Sequence, residues 1–238
     1  MRVSLFIPCF VDQLTPRVGL AAADVLRRLG HEVEFREAQT CCGQPSFNAG
    51  HWPVAREAAL RALDVFKGAE AVVGPSASCV AMMRKFYPEL LAGHPRLAEA
   101  SELASRTFEF GEFLVRRLGV EDVGARLEAR VAYHDGCHGL RELGLREEPR
   151  RLLRAVRGLT LVEADEAETC CGFGGLFSVK FPMISSAMAQ VKCNSIRETG
   201  ADVVISNDSS CLMQIQGYLD RHFGTVKCRH LAEILDAR

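Results

Sequence analysis

Short apolar runs rich in β-branched residues alternate along this chain with longer stretches whose apolar positions recur every three or four residues. That alternation predicts an α/β protein in which a small, mostly parallel sheet is flanked by helices. In the first half, residues 2–7 predict a strand and 16–29 a helix closed by Gly30. A strand over 32–35, a helix over 53–67 and a third strand over 69–74 follow. The turn Pro75-Ser76-Ala77-Ser78 then leads into a helix from Cys79 to about residue 91. The second half repeats the order: strand 130–134, helix 149–156, strand 160–163, helix 184–199, strand 202–206 and helix 211–223. It adds a strand over 225–227 and a closing helix from His230, while residues 112–129 read as the first half's last helix and a charged link. The chain thus divides into two lobes, 1–120 and 130–238, with the boundary between Gly119 and Arg130.

The two halves also carry the same cysteines. Cys9, the pair Cys41-Cys42 and Cys79 are separated by 31 and 36 residues; Cys137, the pair Cys170-Cys171 and Cys211 are separated by 32 and 39. The displacement between copies grows slowly, from 128 at the first cysteine to 129 at the pair and 132 at the last. Neighbouring residues match as well: Arg2-Val3 with Arg130-Val131, and Ala69-Glu70-Ala71-Val72-Val73 with Ala201-Asp202-Val203-Val204-Ile205. One unit has been duplicated, with small loop insertions. In each half the first cysteine follows the first strand, the pair lies in the loop after the second, and the last follows the third strand and opens a helix. Each set of four is therefore expected at the carboxyl edge of its sheet, where open α/β folds place ligands.

Ten cysteines raise the question of compartment. The apolar run at the N-terminus is too short for a signal peptide and is broken by Pro8, and no segment has the length of a membrane span, which predicts a cytoplasmic protein without a transmembrane segment. In a reducing compartment the cysteines read as metal ligands sooner than as five disulfides. Side chains of adjacent cysteines diverge in extended backbone, which disfavours a compact tetrahedral zinc site and suits an iron–sulfur cluster whose irons take neighbouring thiolates; zinc stays open as the alternative metal. Gly43, Gly172, Gly174 and Gly175 let the backbone pass close to the sulfurs and aim N–H groups at them. With a formal net charge of −1 and scattered basic residues, the chain offers no stripe for a phosphate backbone, which excludes nucleic acid as the expected partner. No dinucleotide-binding glycine fingerprint, P-loop or His-Glu-x-x-His motif is present, so any hydride acceptor belongs to another chain.

His134 and His138 flank Cys137 and are the candidate catalytic residues, as donors to the metal site or proton carriers; the first half has Phe6 and Phe10 in those places. The asymmetry points to the second site for any substrate chemistry. Asp208, before Cys211, reads as a turn-forming residue or a proton acceptor, and Arg141 and Lys180 as solvated helix charges. Cys193 and Cys228 have no counterpart in the repeat and read as ordinary thiols.

The segments Cys41-Cys42-Gly43-Gln44-Pro45, Pro75-Ser76-Ala77-Ser78-Cys79, His134-Asp135-Gly136-Cys137-His138, Cys170-Cys171-Gly172-Phe173-Gly174-Gly175 and Asn207-Asp208-Ser209-Ser210-Cys211-Leu212 cover most of the chain's motifs. They resemble the cysteine-rich CCG domain family, which includes the cysteine-rich component of heterodisulfide reductase and the C-terminal half of the glycolate oxidase iron–sulfur protein, and within it the lactate-utilisation group. The resemblance implies an iron–sulfur electron-transfer subunit, without activity unless joined by its partners, in a complex that oxidises L-lactate to pyruvate. The implied partners are other subunits of that complex, one with ferredoxin-type clusters. It implies two 4Fe-4S clusters, one on Cys9, Cys41, Cys42 and Cys79, the other on Cys137, Cys170, Cys171 and Cys211. The wider family closes each set with Cys-x-x-Cys, whereas Met82 and Gln214 stand at that last place here, so four thiolates per site leave both cubane and non-cubane clusters open. Two other functions stand beside this one: a cluster-dependent reductase acting directly on a disulfide or similar substrate, and a zinc-binding structural subunit.

Overall fold

A computed structural model describes residues 1–224 and 226–238. The first lobe holds four parallel strands, β1 (Arg2–Leu5), β2 (Glu32–Phe35), β3 (Ala71–Gly74) and β4 (Thr107–Glu109), in the order β2-β1-β3-β4. The second lobe repeats this with β5 (Arg126–Tyr133), β6 (Arg157–Val162), β7 (Val203–Ser206) and β8 (Lys227–His230), ordered β6-β5-β7-β8 and again all parallel. Helices flank both sheets, so the fold is the duplicated α/β arrangement that the alternating pattern predicts.

The strand pleat explains how the lobes join. Val3, Leu5, Ala71 and Val73 point to one face of the first sheet, and Val131, Tyr133 and Ile205 to one face of the second; all belong to a single buried core. The helix Pro16–Arg28 enters that core with Val18, Ala22, Val25 and Leu26, and the C-terminal helix Leu231–Asp236 meets it with Leu231, Ile234 and Leu235. The Arg28 guanidinium closes the seam on Asp236 at 2.6 Å. The opposite sheet faces carry smaller cores, around Phe6, Val72 and Leu63 in the first lobe and around Val204, Ile196 and Ile215 in the second. Since each buried Val, Leu or Ile contributes about 1.5–3 kcal/mol, the shared core is the main force holding the lobes together.

Several elements differ from the pattern-based expectation. The first lobe has a fourth strand, β4, and before it the helix Leu97–Ser105, in a stretch between about residue 91 and residue 112 for which no element is expected. β5 starts at Arg126, four residues before the expected strand. Short helices follow the first strand of each lobe, Cys9–Leu14 and Cys137–Glu142. The helix expected from Cys79 begins at Ala77, widens to a π-helical turn over Met82–Phe86 and ends at Leu90; the one expected from Cys211 begins at Ser209. In the expected strand over 225–227, Thr225 lies outside the described residues, and β8 starts at Lys227.

Candidate functional site

Each cysteine position is produced by the same local logic in both lobes. Cys9 and Cys137 begin the short helices after β1 and β5. The pairs sit between β2 or β6 and another short helix, Gln44–Asn48 or Leu176–Lys180. Cys79 and Cys211 are each the third residue of the helix that leaves β3 or β7. Because every strand is parallel, all four cysteines of a lobe emerge at the carboxyl edge of its sheet.

The lobes then exchange neighbours. The Cys9 helix packs on the Cys211 helix, with Thr15 donating its hydroxyl to Ser209 at 3.0 Å, and the Cys137 helix packs on the Cys79 helix. The second contact is tight: a Cβ on Gly139 would lie 3.1 Å from Ala77 Cβ. This reciprocal packing turns the two carboxyl edges toward each other, and all eight repeat cysteines line one cavity of about 980 Å³, open mouth included. Phe10 and Phe173 meet edge to face across it at 5.9 Å, and His138, Asp208, Gly174 and Gly175 complete its wall.

Within each lobe neighbouring thiols perturb one another, Cys9 with Cys41, Cys41 with Cys42 and Cys42 with Cys79, and likewise Cys137 with Cys170, Cys170 with Cys171 and Cys171 with Cys211. All ten cysteines are free. Hydrogen bonds from Cys42 and Cys9 hold the Cys41 thiol far below its ordinary range, and bonds from Cys137 and Cys171 do the same for Cys170. Cys9, Cys42, Cys137 and Cys171 are pushed up in return, chiefly by those same bonds. A bound metal would hold the four as thiolates. The Gly43 N–H donates to Cys41 Sγ and the Gly172 N–H to Cys170 Sγ, both at 3.4 Å. Both glycines are in the left-handed region, with φ of 84° and 87°. Four converging thiols with N–H donors at the sulfur form a donor set that fits a thiolate-bound metal or iron–sulfur centre in each lobe.

The supporting residues differ between lobes. In the first, the Tyr87 hydroxyl donates to the Cys42 carbonyl at 3.0 Å. In the second, the Gly172 carbonyl accepts from Ser185 Oγ at 2.8 Å, and Gln214 donates to that Oγ at 2.9 Å. Buried Lys192 donates to the carbonyls of Glu166 and Ala167 and so pins the loop ahead of Cys170. Asp208 forms no cap on its own helix. Its carboxylate crosses the seam and accepts from Ser76 Oγ at 2.9 Å, Ser78 N–H at 2.9 Å and Ser78 Oγ at 2.8 Å. Sequence pattern marks none of these roles, since the partners lie far apart along the chain.

The two histidines separate. His138 lines the cavity, with Nδ1 3.7 Å from Cys137 Sγ. His134 is 1% exposed, both ring nitrogens lack a partner, and burial lowers its pKa to about 3. A ring nitrogen of His134 and the sulfurs of Cys171 and Cys211 lie within 4.8 Å of one another. Cys193 and Cys228 stay outside the cavity in the second lobe's core, where burial raises both thiols.

A duplicated α/β protein with eight paired-up thiols around a common cavity is defined by its cysteine-rich unit. The sequence model of the CCG cysteine-rich domain matches residues 3–84 and 131–216, one copy per lobe. Over its whole length, and over the whole length of each relative, the chain is 46% identical to lactate utilization protein A of Bacillus subtilis, 47% to that of Bacillus velezensis and 46% to that of Geobacillus kaustophilus. The chain belongs to the lactate utilization protein A family of duplicated CCG cysteine-rich-domain proteins. A crystal structure of a hypothetical protein from Helicobacter pylori has a similar fold, with a TM-score of 0.69 over 98% of this chain and 48% of that one at 10% identity.

Proposed function

We propose that the chain is an iron–sulfur electron-transfer subunit of a lactate-utilisation system, in which a 2-hydroxy acid is oxidised to its keto acid on a partner. The observation that carries this reading is the convergence of eight free thiols, four per lobe, on one cavity. Cys9, Cys41, Cys42 and Cys79 would hold one 4Fe-4S centre, and Cys137, Cys170, Cys171 and Cys211 the other. Bound clusters supply one-electron chemistry that no side chain of this chain offers.

The protein's own part is ligation, exclusion of water and tuning. Buried Cys42, Cys79, Cys171 and Cys211 keep part of each site dry, and the Gly43 and Gly172 N–H groups place positive dipoles at sulfur. His138 and Asp208 stand in the cavity wall, where a proton that accompanies an electron can be held. Partners are supported by the surface beside the mouth: Val179, Phe181, Met183 and Ile184 follow the cavity-lining Leu176 and are 51–85% exposed. An apolar patch of this kind suits a permanent contact between chains. The chain has no ferredoxin-type cysteine run of its own, and among the described residues no helix is long and apolar enough to cross a membrane.

Anaerobic purification followed by iron, acid-labile sulfide and zinc analysis with EPR tests the reading. Iron and sulfide in equal amounts, halved when either cysteine pair is changed to alanine and lost when both are, is the expected result. Colourless protein with stoichiometric zinc would overturn it in favour of the structural-metal alternative. Turnover of a hydroxy acid or a disulfide by the isolated chain would overturn the dependence on partners.

A further inference from the structure

The two thiol sets match in sequence but not in what lies behind them. Phe6 occupies the first lobe's place, packed edge to face on Phe66 at 5.9 Å. His134 occupies the second lobe's place. Its backbone is fixed, with N–H donating to Ile205 O at 2.8 Å and its carbonyl accepting from Ser206 Oγ at 3.0 Å. Its ring faces no solvent and no protein partner: both nitrogens are buried and unpaired. An unpaired buried polar group costs about 1–3 kcal/mol, so a rigid imidazole held in this state signals a missing ligand.

What lies within reach of the ring is sulfur. One of its nitrogens and the Cys171 and Cys211 sulfurs fall within 4.8 Å of one another, a separation that a shared metal can span. We propose that His134 supplies a nitrogen ligand to the metal centre of the second lobe, alongside Cys171 and Cys211, so that this centre has mixed nitrogen and sulfur ligation while the first lobe's centre is ligated by sulfur alone. The proposal rests on the metal-centre reading given above.

Mixed ligation has an electronic consequence. His134 would join the four thiolates of its lobe and replace none of them, so the two centres carry equal thiolate charge and differ by one neutral nitrogen ligand. The two centres are then electronically distinct although their thiols match. Redox titration of the wild-type chain should show two midpoints, and in His134→Phe the one belonging to the second lobe should shift.

The experiment isolates that lobe in the full-length chain carrying Cys41→Ala and Cys42→Ala, purified anaerobically with histidine labelled in 15N. The reduced protein is read by pulsed EPR. A strongly coupled 15N nucleus that disappears in His134→Phe, with iron and sulfide retained, is the expected result. Coupling that survives His134→Phe, or that disappears instead in His138→Gln, overturns the assignment and leaves the cluster reading intact. If His134→Phe fails to fold, His134→Cys makes the same test, retaining metal and losing the coupling. Zinc in place of iron would overturn the cluster reading alone. X-ray absorption at the zinc edge would then carry the ligand test: nitrogen and sulfur in the parent against sulfur only in His134→Cys supports the assignment, and identical shells overturn it.

Discussion

Alanine at the glycine after each cysteine pair should have unequal effects in the two lobes, although the tripeptides are identical. Both Gly43 and Gly172 have positive φ, which costs an L-residue roughly 1–2 kcal/mol. The surroundings then diverge. A Cβ on Gly43 would meet Ala58 Cβ at 3.1 Å and Ala55 O at 3.3 Å, contacts that relax with a shift of a few tenths of an ångström. On Gly172 it would meet the Ser185 carbonyl at 2.5 Å and Met188 Cβ at 3.0 Å, so the backbone of the helix Pro182–Glu198 must move. Such overpacking costs about 1–3 kcal/mol, and the displaced Ser185 Oγ also gives up its bond to the Gly172 carbonyl, another ~1 kcal/mol. Gly172→Ala is therefore expected to lose about 3–6 kcal/mol and Gly43→Ala about 1–2 kcal/mol. Urea unfolding of the two variants side by side measures the difference, and metal analysis shows whether Gly172→Ala selectively empties one lobe. Equal losses, or a Gly172→Ala variant as stable as wild type, would refute the close approach of that helix to the second cysteine loop.

Two further perturbations probe the seam. Asp208→Ala leaves Ser76 and Ser78 without their shared acceptor in a buried position and should cost about 2–4 kcal/mol in chemical denaturation, with Asp208→Asn costing less because one oxygen remains; a loss under about 0.5 kcal/mol would show that the bridge is not formed. Glu109 is fully buried at the start of the helix Phe110–Glu112, and burial pushes its pKa up to about 8. The folded chain thus holds that proton more tightly than the unfolded one, so the stability of wild type relative to Glu109→Gln is greatest below about pH 4 and falls toward pH 8, by up to about 1.4 kcal/mol per pH unit. Taking the difference between the two proteins cancels every other titrating group, and a flat or rising difference over that range would count against a protonated Glu109.

The central strands are legible because Ala71 to Val73 and Val203 to Ile205 are unbroken apolar runs and Val3 to Ile7 is interrupted only by Ser4, which leaves no competing helical period. β4 is not, because Thr107-Phe108-Glu109 is three residues long and ends in a carboxylate that only burial at a helix start explains. The helices beginning at Cys9 and Cys137 were hidden by their length of six residues, below what periodicity resolves. For the site, the repeat identified the eight cysteines, and parallel strands placed them at one edge per lobe. That the two edges form one cavity depends on Gly139 meeting Ala77 and on small residues in the helix Pro16–Arg28, contacts between distant segments that carry no local signature. His134 and His138 looked equivalent beside Cys137; a strand end buries the first and a helix start exposes the second to the cavity.

Aligning the lobes through their loops sharpens where they have diverged. Gly43 approaches Ala55 and Ala58 as Gly172 approaches Ser185 and Met188, which pairs Ala62 with Lys192 one helix turn further along. Phe6 pairs with His134 and Ser76 with Asp208 on the same basis. In all three places the first lobe has an apolar or neutral group and the second a buried ionisable one. A buried ionisable group is costly in a fold that works without it, as the first lobe does. His134 and Lys192 are buried in the second lobe and Asp208 stands in the wall between the two sets, so the surroundings of the two sites have diverged while the thiols stay matched. Under the electron-transfer function proposed above, two copies of one binding unit, held at different polarity across a shared cavity, would sit at different potentials with the same thiols.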